Sequence, residues 1–403
     1  MRELTHKVSK WSLIHPLFPK HMSFILGPRQ SGKTTVALQQ LKNEKQDKET
    51  YYFNWDRQDI RRKFRDGITW LSTLKRQNIR PFLVFDEIHK TRQWKRTLKS
   101  IYDQYRDDFR FIVTGSGRLD HYQRGGDSLA GRYDPYFLYP FTPGEIGEYP
   151  TQRNLSVERL LDAAPVKADL IDLWEQTGGF PEPFLSASEA KAKSWWKQYQ
   201  LRVTEEDLRD LTRLESVDLM REIMHILPSR IGSPLSIQSV RQDVETSFAT
   251  AKRYLHTLNQ LFLTFEISPY SKRIHRAVTK EKKIYYFHHA AVSEKGARFE
   301  NMIAILLNRW ISEMNESAIG DYSLHYVRDQ DRREVDFLIT KNSKPFILFE
   351  AKQTDTSLSP SLVHYSNKLN IPGVQVVRTP GINLKRAPHL AILSVHHLAG
   401  FLG

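Results

Sequence analysis

The segment of residues 27–34 constrains the fold more than any other feature of this chain of 403 residues. It reads Gly-Pro-Arg-Gln-Ser-Gly-Lys-Thr, which fits the phosphate-loop pattern GxxxxGK[ST]. The apolar run Met22–Leu26 precedes it, and the helical pattern Lys33–Asn43 follows it. Strand, loop and helix in this order predict a parallel α/β sheet, with backbone N–H groups and a helix N-terminus directed at phosphate.

The residue types in this loop predict nucleotide binding. Lys33 is expected to neutralise charge on the β- and γ-phosphates, and the Thr34 hydroxyl is expected to bind Mg²⁺. ATP and Mg²⁺ are therefore the predicted cofactors. The predicted nucleotide-binding residues are Gly27, Pro28, Arg29, Gln30, Ser31, Gly32, Lys33, Thr34 and Thr35.

Two adjacent carboxylates follow the apolar run 82–85. We expect Asp86 to hold the hydration shell of Mg²⁺ and Glu87 to polarise the attacking water. The presence of both acids favours a hydrolase over a kinase or a switch. Thr114 and Ser116 end the next apolar run, where their hydroxyls are expected to contact the γ-phosphate or the attacking water. The alternative is that they simply form a loop.

The rhythm of apolar runs divides the chain into four predicted domains. Residues 1–150 alternate strand and helix, with a strand over residues 50–54 and a helix over residues 88–105 among them, and form the ATPase core. Residues 151–230 are helical, with one helix over residues 190–214, and form a lid. Residues 231–290 contain two helices followed by a β-hairpin, which is the pattern of a winged helix. Residues 291–403 form the last domain. The predicted fold class is α/β: a P-loop NTPase parallel sheet with a helical lid, a winged helix and a C-terminal α/β restriction-endonuclease-like domain.

The charge of the chain indicates a polyanionic partner. Lys and Arg outnumber Asp and Glu by 60 to 46, for a formal net charge of +14. Eight of these basic residues lie between residues 247 and 283, against two acids. Lys252 and Arg253 are on the predicted recognition helix, and Lys272 and Arg273 are in the wing, so we expect them to contact DNA phosphates. A solvated basic loop around a packing module is the alternative.

Acidic residues in the last domain follow the order of a PD-(D/E)xK nuclease. Asp336 is on one predicted strand, and Glu350 and Lys352 share a face of the next. Asp336 and Glu350 are expected to hold Mg²⁺ while Lys352 orients or deprotonates water. Glu300, on the preceding helix, is the additional acid. The alternative is a structural Glu–Lys pair in an inherited scaffold that no longer cleaves.

Several motifs together resemble the prokaryotic AAA+-like ATPases of the AAA_14/DUF4143 arrangement. The resemblance implies the fold more than the biology, because members are known mainly as ATP-binding proteins. The motifs are the loop 27–34, the acidic pair with residues 88–90, residues 114–116, 128–132, 140–145, 178–182, 206–211 and 333–336.

The resemblance also implies an assembly. Arg132 lies just before a predicted strand, where AAA+ ATPases place the arginine that reaches a neighbouring subunit's nucleotide. Arg118 is the other candidate for this role. The alternative is that Arg132 is simply an exposed surface arginine. We therefore expect a homo-oligomer, a hexamer being one option.

These features lead to one preferred function and two rivals. The preferred protein binds DNA and couples Mg²⁺-dependent ATP hydrolysis to remodelling or processing of that DNA. One rival is a signalling switch of the STAND type with a non-catalytic nuclease-like domain, and the other is an ATP-gated defence nuclease. No apolar run is long enough to span a bilayer and no secretory signal is visible. Since cysteine is absent, disulfides and thiolate zinc are excluded, and a cytoplasmic location without membrane contact is expected.

Overall fold

A computed structural model describes residues 19–91, 93–115, 129–207, 216–271 and 281–403. The chain forms two compact units, Met1–Tyr139 and Pro140–Gly403. The segments predicted as lid, winged helix and nuclease-like domain all lie in the second unit. Residues 140–150, predicted as part of the ATPase core, also lie in the second unit, because the first unit ends at Tyr139. The division of the chain into four domains stays a prediction.

The first unit contains a five-stranded sheet in the order β2-β3-β4-β1-β5, with every neighbouring pair parallel. Each of the three central strands is an almost continuous apolar run, as is typical of parallel strands covered on both faces. This sheet confirms the predicted α/β class. The strands are β1 (Met22–Leu26), β2 (Tyr52–Asn54), β3 (Phe82–Asp86), β4 (Arg110–Thr114) and β5 (Tyr133–Phe137).

Helices connect these strands, and two of the predicted bounds change. The strand predicted over residues 50–54 begins only at Tyr52, because a short helix precedes it. The helix predicted over residues 88–105 is interrupted, since Thr91 is extended and separates a 3₁₀ turn, Ile88–Lys90, from the following helix. The helices are α1 (Lys33–Asn43), α2 (Lys48–Tyr51), α3 (Gln58–Arg65) and α4 (Trp94–Tyr105), with a 3₁₀ helix at Thr69–Leu74.

The second unit begins with short helices, several of which start at a serine. The Ser156, Ser188, Ser216, Ser236 and Ser247 hydroxyls each accept a hydrogen bond from the backbone N–H three residues later, which satisfies one of the free donors of the first turn. The helices are α5 (Pro143–Ile146), α6 (Val157–Leu161), α7 (Ala168–Thr177), α8 (Pro181–Leu185), α9 (Glu189–Arg202), α10 (Val217–Ile226), α11 (Ile237–Asp243), α12 (Phe248–Gln260), α13 (Lys295–Glu316), α14 (Pro360–Leu369) and α15 (Val395–Leu402).

A nine-stranded mixed sheet extends through most of this unit. Its order is β13-β14-β12-β11-β10-β9-β7-β8-β6, with β10 antiparallel to both β9 and β11, and with β11, β12 and β14 parallel. Its strands are β6 (Pro234–Leu235), β7 (Thr264–Pro269), β8 (Lys282–Tyr286), β9 (Tyr322–Arg328), β10 (Glu334–Lys341), β11 (Lys344–Lys352), β12 (Gly373–Val377), β13 (Asn383–Ala387) and β14 (Leu390–Ser394).

The predicted two helices and β-hairpin are present as α11, α12, β7 and β8. They are not isolated from the last domain, however, because β7 pairs in parallel with β9 through Ser268 and Pro269. The helix predicted over residues 190–214 ends at Arg202 and continues as a π turn, Val203–Asp207, before the described residues stop.

Sequence analysis missed the elements after residue 352, namely α14, β12, β13, β14 and α15. Two of these strands, β12 and β14, are short and wholly buried, so their apolar runs carry no alternation that distinguishes strand from buried helix. Within the described residues, no helix is both long enough and apolar enough to cross a bilayer.

Candidate functional site

The phosphate loop connects the carboxyl end of β1 to the first turn of α1. Gly27 and Gly32 have φ values of 139° and 100°, and Gln30 has φ 58°, so the loop uses left-handed backbone at three positions. A Cβ atom on Gly27 would lie 2.4 Å from the Leu138 carbonyl oxygen. Gly27 is therefore required both by its backbone conformation and by the close approach of the adjacent chain.

The Lys33 side chain lies inside this loop. Its ammonium donates hydrogen bonds to the Gly27 carbonyl at 3.1 Å and the Pro28 carbonyl at 2.5 Å, and the residue is only 6% exposed. Phosphate oxygens would compete with these carbonyls for the same ammonium. The loop thus supplies a positive charge at the position that a nucleotide phosphate needs.

Asp86 is the acceptor for three hydroxyl groups at the carboxyl edge of the sheet. Its carboxylate accepts hydrogen bonds from Thr34 at 3.0 Å, from Tyr52 at 2.5 Å and from Thr114. Asp86 is 2% exposed, and its strand pairs with β2 on one side and with β4 on the other. Parallel strands end at one edge, so residues far apart in sequence meet at this carboxylate.

Glu87 follows Asp86 in a left-handed backbone conformation, with φ 58° and ψ 28°. Its N–H donates to the Thr114 carbonyl at 3.1 Å, and its carboxylate lies 3.4 Å from His89 Nε2 and 3.9 Å from Lys90 Nζ. Burial raises the pKa of Glu87, although Lys33 and Lys90 oppose this effect. A carboxylate with a raised pKa is better suited to accept a proton from water near neutral pH.

Other residues of the predicted nucleotide site occupy the loop and the start of α1. Ser31 is buried, Arg29 is half-buried, and Gln30 and Thr35 are exposed. Ser116 and its neighbour Arg118 lie outside the described residues, so their predicted roles stay predictions.

Arg132 is not near the phosphate loop of its own chain. It immediately precedes β5, whose Tyr133 pairs with Met22 at the amino end of β1, whereas the loop follows the carboxyl end of β1. Five strand residues separate the two edges, about 15 Å at the usual rise per residue. The Arg132 guanidinium instead contacts Asp103 on α4 at 2.9 Å.

Sequence analysis missed Tyr52 as a residue of this site. Burial and the hydrogen bond to Asp86 raise the pKa of Tyr52 well above its ordinary value, so its hydroxyl remains a donor. Only the pairing of β2 with β3 reveals this contact, since the sequence does not state which strands are neighbours. His89 and Lys90 belong to the motif that follows the acidic pair, and the structure places both beside Glu87.

A second acidic cluster lies in the second unit, around the ammonium of Lys283. This lysine is 1% exposed at its side chain, and its Nζ lies 2.7 Å from Glu334, 3.0 Å from Glu300 and 3.3 Å from Asp336. The Tyr285 hydroxyl donates to Glu300 at 2.6 Å. A helix and two strands therefore converge on one buried cation.

The predicted nuclease residues do come together next to Lys283. The Asp336 carboxylate accepts a hydrogen bond from the Ala351 N–H at 3.0 Å, and Glu350 is paired with Lys352 at 3.0 Å. Glu300 belongs to the same group through Lys283. Among the described residues, however, no group of three or more acidic or histidine side chains is arranged to hold a metal ion.

Burial controls protonation in this cluster. It raises the pKa of both Glu300 and Glu350, and the Asp336 charge adds to the effect. Burial alone would lower the pKa of Lys283, but the Glu300, Asp336 and Glu334 carboxylates reverse this and raise it. Lys283 therefore remains an ammonium that compensates the acids around it.

The predicted DNA-binding residues are placed differently from one another. Lys252 and Arg253 are exposed on α12, and neither has a carboxylate partner among the described residues. Lys272 and Arg273 lie outside the described residues. Lys283, the last of the eight basic residues between residues 247 and 283, cannot contact phosphate, because its ammonium is buried among carboxylates.

Comparison with known families and proteins adds to this geometry. Residues 19–147 match the family model of an AAA domain. Residues 168–292 match a domain of unknown function, DUF8612, and residues 295–392 match a second, DUF4143. Uncharacterized proteins of Mycobacterium bovis and Mycobacterium tuberculosis are each 24% identical over 347 residues, which is 84% of this chain and 72% of the relative.

Two solved structures are more distantly similar. The Orc1 protein of Aeropyrum pernix, in a complex with DNA, matches 71% of this chain and 88% of its own at 13% identity and a TM-score of 0.32. Cdc6p of Pyrobaculum aerophilum matches 75% of this chain and 96% of its own at 12% identity and a TM-score of 0.29. Likeness at these TM-scores does not define a shared fold. The segment that matches the AAA domain contains the phosphate loop and the acidic strand end. Together with the DUF4143 match, it supports an AAA-like ATPase family for this chain.

Proposed function

We propose that this protein is a Mg²⁺-dependent ATPase that binds DNA and couples ATP hydrolysis to remodelling or processing of that DNA. The observation that carries the ATPase proposal is the joint position of Lys33, Thr34, Asp86 and Glu87 at one edge of the parallel sheet. A phosphate-binding cation, two oxygen ligands for a metal and a candidate base are thus placed together.

The Thr34 and Asp86 oxygens fit a magnesium ion. The Thr34 hydroxyl donates a hydrogen bond to the Asp86 carboxylate at 3.0 Å, and hydroxyl and carboxylate oxygens are the groups that would hold Mg²⁺ or its bound water. Bound Mg²⁺ would supply charge neutralisation for the phosphates. The hydroxyls of Tyr52 and Thr114 would keep the Asp86 carboxylate oriented.

Glu87 would accept the proton of the attacking water. Its left-handed backbone is secured by the hydrogen bond from its N–H to the Thr114 carbonyl, which holds the carboxylate at the sheet edge. His89 and Lys90 lie beside this carboxylate, at 3.4 Å and 3.9 Å. A positioned base contributes about 10²–10⁴-fold to a rate.

DNA binding is supported by the exposed face of α12. Lys252, Arg253 and His256 lie on this face, together with Phe248, which is 48% exposed. Lys252 and His256 follow Phe248 by four and eight residues, so these three side chains lie on one side of the helix, and Arg253 is the residue next to Lys252. Exposed cations without carboxylate partners are suited to phosphate contacts that orient a duplex.

ATP turnover measured with duplex, forked and single-stranded DNA, and without DNA, tests the whole proposal. We expect DNA to stimulate turnover in wild type and to do so less in Lys252→Ala/Arg253→Ala. The double variant should also flatten the plot of log K against log salt concentration by about two units, one for each lost phosphate contact. Lys344→Ala, an exposed lysine on β11, is the matched control. An unchanged slope would remove α12 from the interface.

We also propose that Arg132 acts in a neighbouring subunit. It lies at the sheet edge opposite to its own phosphate loop and is held by Asp103. Mixing Arg132→Ala with Glu87→Gln should restore part of the turnover, because a mixed interface combines one intact Arg132 with one intact Glu87. No recovery in mixtures that demonstrably co-assemble would contradict this role.

A second candidate function is the ATP-dependent switch with a non-catalytic nuclease-like domain. The Lys283 ammonium favours it, because this cation already contacts Asp336 and Glu300, two of the acids predicted for the nuclease site. Wild type should then leave linear, forked and junction DNA uncut with Mg²⁺ or Mn²⁺, with or without ATP. Cleavage that disappears in Asp336→Ala and Glu350→Ala would instead support an ATP-gated nuclease.

A further inference from the structure

The second unit contains a cavity of about 920 Å³ that neither the ATPase site nor the acidic cluster uses. It is bounded by α9, by α10, by the start of α13 and by the turn at residues 288–291. Its lining includes four cationic side chains and two imidazoles, and no carboxylate. The cationic and imidazole residues are Lys193, Lys197, Arg221, His225, His288 and Arg298.

Two helices present these cations in the same way. Lys193 and Lys197 are four residues apart on α9, and Arg221 and His225 are four residues apart on α10. Residues at this spacing share one helix face, so both helices direct positive groups to the cavity. Arg298 on α13 adds a positive charge from a third helix. Its Nε donates a hydrogen bond to the Val292 carbonyl at 2.6 Å, which fixes the guanidinium.

The carboxylates near these cations do not neutralise the cavity. Glu189 pairs with Lys193 at 2.7 Å, and Glu205 and Asp218 each pair with Arg221 at 3.3 Å, but all three acids are about half exposed or more and none lines the cavity. Exposed pairs of this kind are weak and exchange readily with another anion. Lys197 has no ion pair in the part of the chain that the structure describes.

The inner part of the cavity is apolar and aromatic. Trp196 and Met224 line it, and Trp196 is stacked between His288 at 4.8 Å and Tyr199 at 5.5 Å between ring centroids. Burial lowers the pKa of His288, so its imidazole is neutral. Trp196 and Met224 therefore form an apolar wall of the cavity beside a neutral imidazole.

We propose that this cavity binds a phosphorylated ligand of the nucleotide class, with phosphate at the Lys197 and Arg298 side and the base or sugar against Trp196 and Met224. The volume lies near the upper end of the about 300–1,000 Å³ of small-molecule sites, so it exceeds what a lone phosphate needs. The nucleotide comes either as a free molecule or as a unit of a single strand, and both share this chemistry. This site is additional to the phosphate loop.

Binding to the full-length Lys33→Ala protein tests the proposal, because that change removes the phosphate loop as a competing site. The probes are a fluorescent mononucleotide and a short labelled single-stranded oligonucleotide. Lys197→Glu should weaken binding of at least one probe by about tenfold or more, as expected for loss of a charged hydrogen bond. The matched control is Lys191→Glu, the same change at an exposed position of α9 that does not line the cavity.

Each outcome decides the proposal. Loss of mononucleotide binding identifies a free nucleotide, and loss of oligonucleotide binding alone identifies a strand. Failure of both probes to bind, or equal affinities in Lys197→Glu and Lys191→Glu, overturns the site. Arg298→Ala, a second variant on another helix, should weaken binding in the same way, and in the Lys33→Ala protein pyrophosphate should displace the probe from the cavity.

Discussion

Two acidic centres of this protein stabilise their buried carboxylates in opposite ways. Asp86, in the first unit, is surrounded by the hydroxyls of Thr34, Tyr52 and Thr114, which orient its charge without neutralising it. Asp336, in the second unit, shares the Lys283 ammonium with Glu300 and Glu334. The first centre is built from hydroxyl donors, whereas the second is built around a cation of its own.

The difference shows that clustered acids do not by themselves indicate a metal site. A buried carboxylate needs a compensating charge or strong hydrogen bonds, and a lysine meets this need as well as a metal does. The hydroxyl-lined centre is thus the better candidate for Mg²⁺. The lysine-centred cluster is the better candidate for a structural role.

The largest effects are expected at the phosphate loop. Lys33→Ala should weaken nucleotide binding by at least about thirtyfold, since truncating a charge partner costs about 2–5 kcal/mol. Glu87→Gln should keep nucleotide affinity but lower kcat by about 10²–10⁴-fold, because only the proton acceptor is removed. Nucleotide titration and steady-state turnover measure the two effects, with Lys42→Ala on α1 as the control. Wild-type turnover in Glu87→Gln would exclude Glu87 as the base.

Of the changes in the lysine-centred cluster, Lys283→Met should lower the stability of the protein most. This change keeps the length of the side chain but leaves buried carboxylates uncompensated, so we expect a loss of about 3–5 kcal/mol in the free energy of unfolding. Lys282→Met is the control, because Lys282 is 41% exposed at its side chain and pairs with Glu266 at the surface. Urea denaturation of both variants measures the difference.

Added Mg²⁺ sharpens this comparison. If the three carboxylates can hold a metal once the ammonium is gone, millimolar Mg²⁺ should recover part of the stability of Lys283→Met and leave wild type unchanged. Equal stability of Lys283→Met and Lys282→Met, with no response to Mg²⁺, would mean that the ammonium does not compensate the cluster.

A smaller effect is expected from pH. Burial raises the pKa of Glu300 in the folded state above the ordinary value of 4.5. The folded protein therefore binds this proton more tightly than the unfolded chain does. Protonated Glu300 contributes its full stabilisation below the ordinary pKa, and this stabilisation is lost as pH rises through the raised pKa. The difference in unfolding free energy between wild type and Glu300→Gln should fall over that range.

Glu294→Gln is a control of opposite sign near the same helix. Hydrogen bonds from the Ala297 and Gly296 N–H groups lower the pKa of Glu294, so its contribution is present above the ordinary pKa and is lost as pH falls. If the two variants gave the same pH dependence, burial would not control the proton of Glu300.

The smallest effect is expected from Tyr52→Phe. It removes one of three hydroxyl donors from Asp86 while the ring remains, a change of about 1 kcal/mol for a single hydrogen bond. We expect a few-fold rise in the Mg²⁺ concentration needed for half-maximal turnover, with nucleotide affinity in the absence of metal unchanged. An effect as large as that of Glu87→Gln would indicate a direct chemical role for Tyr52.

Much of the first unit could be predicted from the sequence because its signals are local. A glycine-rich loop between an apolar run and a helix, and two acids after another apolar run, are read within a few residues of one another. The bounds of α1 and β1 agree with the prediction, and Asp86 and Thr34 meet as expected. The predicted helix over residues 88–105 was interrupted at Thr91, because a short 3₁₀ turn leaves little trace in the apolar pattern.

The sequence by itself determined the phosphate loop, the acidic strand end, the α/β class and the set of acids in the last domain. Only the tertiary structure decided the role of Lys283. Two consecutive lysines, Lys282 and Lys283, stand at the start of β8, and alternation on a strand requires them to face opposite sides. Which one faces inward depends on the pairing of β8 with β7 and on the helix packed against it. Strand register and packing between segments distant in the chain are global properties, and for this reason no local pattern could reveal that the inward lysine occupies the centre of the carboxylates.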